Sequence, residues 1–369
     1  MTGTATDVRT DLPLAPPPGH PLLGLRSAIS PYAAELEAHI VGWADRYSLL
    51  DDARARDKLA RTRLGELVAR AYPGILPDRL EAVAGWFTWA FVIDDCYEGY
   101  AGQYDEAAAR TLKVLTADPG QATPETRLDA QLADVWHRLA AGMGAAWRLR
   151  FTGHMTHFLA AFKYEAFNRR TRHVPDLLGY HQLRRASGGI TPSLDLLEVA
   201  AGQEVPALLH EFEQARAMFN RAADVVVWVN DIVSLRKELA AGETTNGVLI
   251  LAGERGLGLP QAIECAYALV ARQIEQFHQA EAELELLLSR WRGLEDSAVD
   301  AMRTFAAGMR SWMRGNLDWS GHTDRYQVTD GVLLSTDTSL IAPDPGGDHD
   351  RRGRAPGVAG FGLDRSQPA

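Results

Sequence analysis

The chain has 369 residues and is 46% hydrophobic, enough for one large core or two ordinary ones. A net charge of −10, with no basic stripe to offset it, argues against a nucleic-acid partner. Two cysteines, Cys96 and Cys265, leave no disulfide framework and fit a reducing cytoplasm. The opening MTGTATDVRTDLPL has no apolar signal core, and no apolar run reaches spanning length. A soluble cytoplasmic protein without membrane insertion is expected.

Residues 1–26 carry DLPLAPPPGHPLL, a proline-rich arm expected to be disordered, neither helical nor packed. Ser30-Pro31 reads as a helix start, a capping serine with proline in the first turn. AELEAHIVGWADRY then spaces apolar residues by threes and fours. The pattern continues through DDARARDKLARTRLGELVARAY, DRLEAVAGWFTWAFVI, LDAQLADVWHRLAAGM, HEFEQARAMFNRAADVVVWV and LPQAIECAYALVARQIEQFHQAEAELELLLSRW. Alternating strand patterns with hairpin turns are hard to find. The expected fold is a single all-α domain over residues 27–326, without internal repeats. Residues 327–369, rich in Gly, Pro and charge, are expected to form a disordered tail.

Two stretches carry chemistry. FVIDDCYEGY sets Asp94, Asp95 and Glu98 directly after one of the most apolar runs in the chain. At about 100° per residue, Asp94 and Glu98 share a helix face, with Asp95 beside it. Hard oxygen ligands so placed suit Mg²⁺. A solvated helix end would also account for them. VVVWVNDIVSLRKEL places Asn230, Ser234 and Glu238 at four-residue steps, each turning about 40°, so their oxygens share one face and could form a second Mg²⁺ site. Asp231 and Lys237 lie alongside. An ordinary polar stripe explains Lys237 and Glu238, but not Asn230 at the end of an apolar run.

DDxxE upstream and NDxxSxxKE downstream resemble the two metal motifs of class I terpene synthases of the bacterial type. The resemblance extends over nearly all of residues 27–326. YHQLRRASGG supplies Arg184 at the family's spacing for the diphosphate-sensing arginine, with Ser187 and Gly188 at the linker and effector positions. Many members have an acid at the linker, so Ser187 is a departure. NLDWSGHTDRY supplies Trp319 and the terminal pair Arg325 and Tyr326.

The resemblance implies a helical bundle with a central cavity that ionises a linear isoprenyl diphosphate and cyclises it with Mg²⁺, normally three ions. Farnesyl diphosphate is the first choice of substrate and geranylgeranyl diphosphate the second. The implied metal ligands are Asp94 and Glu98, with Asp95 supporting, and Asn230, Ser234 and Glu238. Arg184, Lys237, Arg325 and Tyr326 would hold the diphosphate, since an arginine fork answers phosphate oxygens bidentately. Gly188 and Gly189 interrupt a helix and free carbonyls toward the developing cation. Phe87 and Phe91, one and two turns before Asp94, are expected to face the same cavity, as is Trp319 through its motif. Small Ala90 and Ser193 hint at a roomy cavity. A chain-elongating prenyl synthase would carry a second aspartate-rich motif, and a class II cyclase would need DxDD, which LLDDAR does not supply. A catalytically silent helical binding protein is the rival from another class. A homodimer is left open.

Overall fold

The computed structural model describes residues 12–50, 52–98, 100–327, 334, 335 and 337–341. Among them the chain forms fifteen α-helices and two 3₁₀ turns, with no strand. In chain order the helices are α1 (Pro21–Gly24), α2 (Ala33–Arg46), α3 (Ala53–Thr62), α4 (Leu64–Ala71), α5 (Leu80–Glu98), α6 (Tyr104–Thr116), α7 (Arg127–Leu139) and α8 (Ala145–Thr171). They continue as α9 (Leu177–Ser187), α10 (Ile190–Ala201), α11 (Ala207–His210), α12 (Glu213–Ala241), α13 (Gly247–Arg255), α14 (Leu259–Arg290) and α15 (Asp296–Ser320).

Helix α5 is apolar nearly all round, and a helix of that kind must be enclosed on every side. It packs against α2, α4 and α7. The 29-residue α12 lies against α14 and α15 in the same way. Each bears one of the two polar motifs in its C-terminal half, so the fold sets those motifs on rigid, buried supports. No described helix is long and apolar enough to cross a membrane.

The local punctuation is chemical. Asp52, Thr126 and Asp176 cap α3, α7 and α9 by accepting from backbone N–H groups in the first turn. Arg63 adopts φ 54°, a left-handed kink that separates α3 from α4. Gly188 and Gly189 divide α9 from α10, and Gly189 needs the freedom of glycine at φ 62°.

Three expectations need correction. Helix α2 begins at Ala33, after the predicted Ser30-Pro31 start; Ser30 Oγ instead accepts from Tyr32 N in the turn before it. The described part of the N-terminal arm packs. Leu12, Leu22 and Leu25 enter the core, Pro21–Gly24 is a helical turn, and Tyr267 Oη donates to Leu14 O at 2.6 Å. His20 Nδ1 accepts from Leu22 N, so its Nε2 carries the proton donated to Tyr267 O at 2.9 Å. Prolines hold the arm extended beforehand, which lowers the entropy lost when its leucines dock. The described part of the C-terminal tail packs too: Leu334, Leu340 and Ile341 are buried, and Arg110 donates to Ile341 O at 2.6 Å. Arg127 pairs with Asp337. Residues 1–11 and 342–369, also expected to be disordered, lie outside the described residues.

Candidate active site

On α5, Asp94 and Asp95 point differently although they are neighbours. Asp94 keeps 45% of its side chain accessible, whereas Asp95 is buried. Asp95 Oδ2 accepts from Leu334 N at 2.6 Å, and its Oδ1 lies 3.5 Å from Arg325. Glu98, the last residue of α5, is exposed. Surrounding protein holds the Asp94 carboxyl above the usual carboxylate range; Asp95, Glu165 and Glu98 add to this and Arg325 opposes it. Water reaching nearly half of the side chain tempers that shift.

On α12, Asn230 Oδ1 accepts from the Arg184 guanidinium at 2.6 Å, and its Nδ2 donates to Tyr326 Oη at 2.8 Å. A donor on one side and an acceptor on the other fix the orientation of the amide. Asp231, predicted only to lie alongside, is the buried anchor of the sensor helix. Its carboxylate takes Arg184 Nε at 2.9 Å, Tyr180 Oη at 2.8 Å and Gly247 N at 3.1 Å. Ser234 Oγ is buried in the field of the Glu238 carboxylate but makes no well-formed hydrogen bond among the described residues. Burial pushes the Glu238 carboxyl up to about 7, with Asp231 adding to the shift. Lys237 is half-buried next to it.

The two motifs meet through the last described turn of the domain. Arg325 Nη2 lies 3.2 Å from Asp94 Oδ2, while the next residue, Tyr326, holds Asn230. Burial raises the Tyr326 phenol to about 12, so it remains a neutral donor and acceptor at physiological pH. Arg325 is set from below: its N donates to Thr323 Oγ1, and that hydroxyl donates to Thr62 O at 2.8 Å. The left-handed Arg63 kink leaves two carbonyls, Thr62 O and Arg63 O, within 3.0 Å of Trp319 Nε1.

Residues 85–276 match the family model described as "Terpene synthase family 2, C-terminal metal binding". The chain is 33% identical to pristinol synthase of Streptomyces pristinaespiralis over 83% of its own length and 84% of that protein's. It is 31% identical to the (2E,6E)-farnesyl diphosphate-cyclising (+)-T-muurolol synthase of Roseiflexus castenholzii, over 82% of this chain and 91% of that one. The chain belongs to the terpene synthase family. Among solved structures it superposes on α-eudesmol synthase with a TM-score of 0.73 at 25% identity, covering 85% of this chain and 99% of that one. A variant of cucumene synthase gives a TM-score of 0.71 at 25% identity, covering 81% of this chain and 98% of that one. As a terpene synthase it is a lyase acting on a diphosphate, built on the all-α fold expected of it.

Two of the aromatic residues expected to face the cavity of this terpene synthase are almost fully buried. Trp319 is 1% exposed and bonded to the α3–α4 kink, and it packs against Phe91 and Tyr326. Phe87 is likewise buried, stacked on Trp312. Helical spacing placed Phe87 correctly on the Asp94 face, but there its ring meets Trp312 of α15. Phe91 is half-buried, with the Arg325 guanidinium 4.6 Å from its ring centroid. Ser193 is buried as well and bonded to Gly189 O and Trp86 Nε1, so its small size serves packing. Ala90 is half-buried.

A Cβ on Gly188 would lie 3.1 Å from both Arg184 O and Val227 Cγ1, a tight fit against the end of the sensor helix. Four residues on stands Pro192, which has no N–H to draw the Gly188 carbonyl into α10. Of the carbonyls expected to be freed, those of Arg184 and Ala186 are taken by Gly188 N and Gly189 N. Ser187 is buried with its hydroxyl unpartnered among the described residues.

Sequence reasoning missed Glu165 and Asn246. Glu165 on α8 acts by its charge on both Asp94 and Arg184. Asn246 hydrogen-bonds Glu238. No period or motif singles out either one.

Proposed function

We propose that this terpene synthase binds a linear isoprenyl diphosphate with Mg²⁺, ionises it and cyclises the resulting cation, with farnesyl diphosphate as substrate and a sesquiterpene as product. The observation that carries this reading is the bridge made by Arg325 and Tyr326, which reach Asp94 on α5 and Asn230 on α12 from adjacent positions. A diphosphate laid between the two helices would meet arginine from both sides, Arg184 and Arg325. The farnesyl diphosphate cyclisation named for the muurolol synthase relative supports the choice of substrate.

The residues suit Mg²⁺. Asp94 and Glu98 on one helix and Asn230, Ser234 and Glu238 on the other are hard oxygen donors. Ser234 Oγ is buried without a well-formed hydrogen bond among the described residues, and burial, with Asp231 adding to it, raises the Glu238 carboxyl. Among the described residues no three His, Cys, Asp or Glu side chains cluster closely enough to hold a metal. Bound there, Mg²⁺ supplies charge that stabilises the departing diphosphate.

The chain's own groups do the rest. Arg184 and Arg325 present planar forks to the phosphate oxygens, and both are buried enough for their charge to act strongly. Tyr326 offers a neutral hydroxyl. The Gly188 carbonyl, kept out of the α10 ladder by Pro192, presents a partial negative charge to the allylic carbon as it becomes cationic. Asp95 clamps Leu334 and Arg325 and so supports the site from outside the ligand set.

The test is incubation with the C10, C15 and C20 diphosphates, with and without Mg²⁺, read by gas chromatography and mass spectrometry. Mg²⁺-dependent cyclic products from the C15 substrate are expected. Products from C20 alone would move the assignment to a diterpene synthase, and no Mg²⁺-dependent diphosphate release from any of the three would overturn it.

A further inference from the structure

Asn246 stands outside every motif considered so far, yet it is fully buried and all of its hydrogen-bonding capacity is used. Its Oδ1 accepts from Val248 N at 2.8 Å and Leu249 N at 3.4 Å, capping α13. Its Nδ2 donates to Asp231 O and to Glu238 Oε2, each at 2.8 Å. Two acceptances at the oxygen and two donations at the nitrogen leave the amide a single orientation. A helix cap alone needs only the oxygen, which serine, threonine or aspartate would provide equally well. The amide nitrogen therefore has a separate task.

The next residue adds to the junction. Gly247 N donates to Asp231 Oδ2, and a Cβ there would meet that oxygen at 2.8 Å and the Trp228 ring at 2.9 Å. The start of α13 is thus pressed onto the α12 turn that carries Asn230, Asp231 and Ser234, with no room for a side chain between them. Through Asp231 the same junction reaches Arg184 and Tyr180 on α9.

We infer that Asn246 is a positioning residue for the metal ligand Glu238: it holds one carboxylate oxygen from the α13 side, leaving the other for the metal. The inference rests on the proposed metal-dependent function. Hydrogen bonds to a ligating carboxylate fix its orientation and favour its ionised form, and losing such a partner typically costs roughly 10–100-fold in metal affinity.

Asn246→Ser separates the two tasks. Serine keeps the helix cap but is too short to reach Glu238, so the fold is retained while the carboxylate loses its partner. Mn²⁺ binding in the presence of inorganic diphosphate, followed by electron paramagnetic resonance, would be measured for wild type, Asn246→Ser, Glu238→Ala and the double variant, with circular dichroism melts alongside. Asn246→Ser is expected to weaken Mn²⁺ binding at least tenfold with little change in thermal midpoint, and to add nothing further in the Glu238→Ala background. Binding within twofold of wild type, or losses that simply add in the double variant, would overturn the positioning role. Absence of Mn²⁺ binding by the wild type itself would remove the metal reading on which that role stands. Should Asn246→Ser unfold, Asn246→Thr carries the same comparison.

Discussion

Asp95 Oδ2 accepts the backbone N–H of Leu334 at 2.6 Å, which ties the first acidic motif to a segment 239 residues further along the chain. Leu340 and Ile341 are buried beyond it, and Cys96 Sγ lies 3.8 Å from Asp337 O. Each buried aliphatic side chain contributes about 1.5–3 kcal/mol before ordering costs, which cancel much of it. Truncation after Gln327 should therefore lower the thermal midpoint, by on the order of 5 °C. An unchanged midpoint would mean that the segment rests on the domain without stabilising it.

Arg184 joins α9 to α12 by two of its nitrogens, to Asp231 and Asn230. Removing it leaves Asp231 buried with Tyr180 and Gly247 N as its remaining partners. Breaking a buried charge pair typically costs about 2 kcal/mol or more, and about 1.4 kcal/mol is tenfold in rate or affinity. Arg184→Ala should thus lower turnover per folded molecule at least about thirtyfold and reduce the thermal midpoint as well. Lys237→Ala, at a half-buried position without an ion pair among the described residues, should do neither to the same extent. Equal losses in the two variants, measured as diphosphate release, would deny Arg184 its special place.

Metal dependence can be checked on both motifs together. Turnover should vanish in excess EDTA and return with Mg²⁺, and Asn230→Leu or Glu238→Ala should abolish it while the far-UV circular dichroism stays helical. Asn230 and Glu238 are each half-buried at the site, with the apolar core carried by their helix neighbours Val229, Ile232 and Leu235. Loss of helicity with unchanged activity per folded molecule would make them structural residues instead.

How much of this was legible beforehand follows from distance along the chain. Asp94 with Glu98, and Asn230 with Ser234 and Glu238, lie within single helices, so helical spacing alone placed them. The groups that orient them come from elsewhere. Leu334 for Asp95, and Thr62 for Thr323 and Trp319, are tertiary partners that no local pattern encodes. Asn246, only eight residues after Glu238, lies beyond the break between α12 and α13, across which helical spacing does not run. Aromatic residues show the same limit. Spacing put Phe87 and Phe91 on the face of Asp94, but whether that face meets core or substrate depends on α15, which packs there from the far end of the chain. The proline-rich arm misled for another reason: its composition resembles a linker, while its leucines behave as core.

Phe91 supplies the last test. Its ring lies 4.6 Å from Arg325 Cζ, and it meets Trp319 edge-on at 6.3 Å. Only 13% of the Arg325 side chain is accessible, so the guanidinium lies against the ring largely shielded from water. A cation–π contact contributes about 0.5 kcal/mol at exposed sites and about 2 kcal/mol when desolvated. At about 1.4 kcal/mol per factor of ten, that corresponds to roughly two- to thirtyfold in affinity for whatever Arg325 holds. Phe91→Leu, which keeps an apolar side chain but removes the π face, should raise the substrate concentration for half-maximal diphosphate release by that factor. The product mixture should change little, because the affected charge belongs to Arg325 and not to the hydrocarbon cation. Phe91→Tyr restores a π face and should recover wild-type half-saturation. The opposite pattern, half-saturation unmoved in Phe91→Leu with a shift toward acyclic or monocyclic products, would place the ring beside the migrating cation and make its contact with Arg325 incidental.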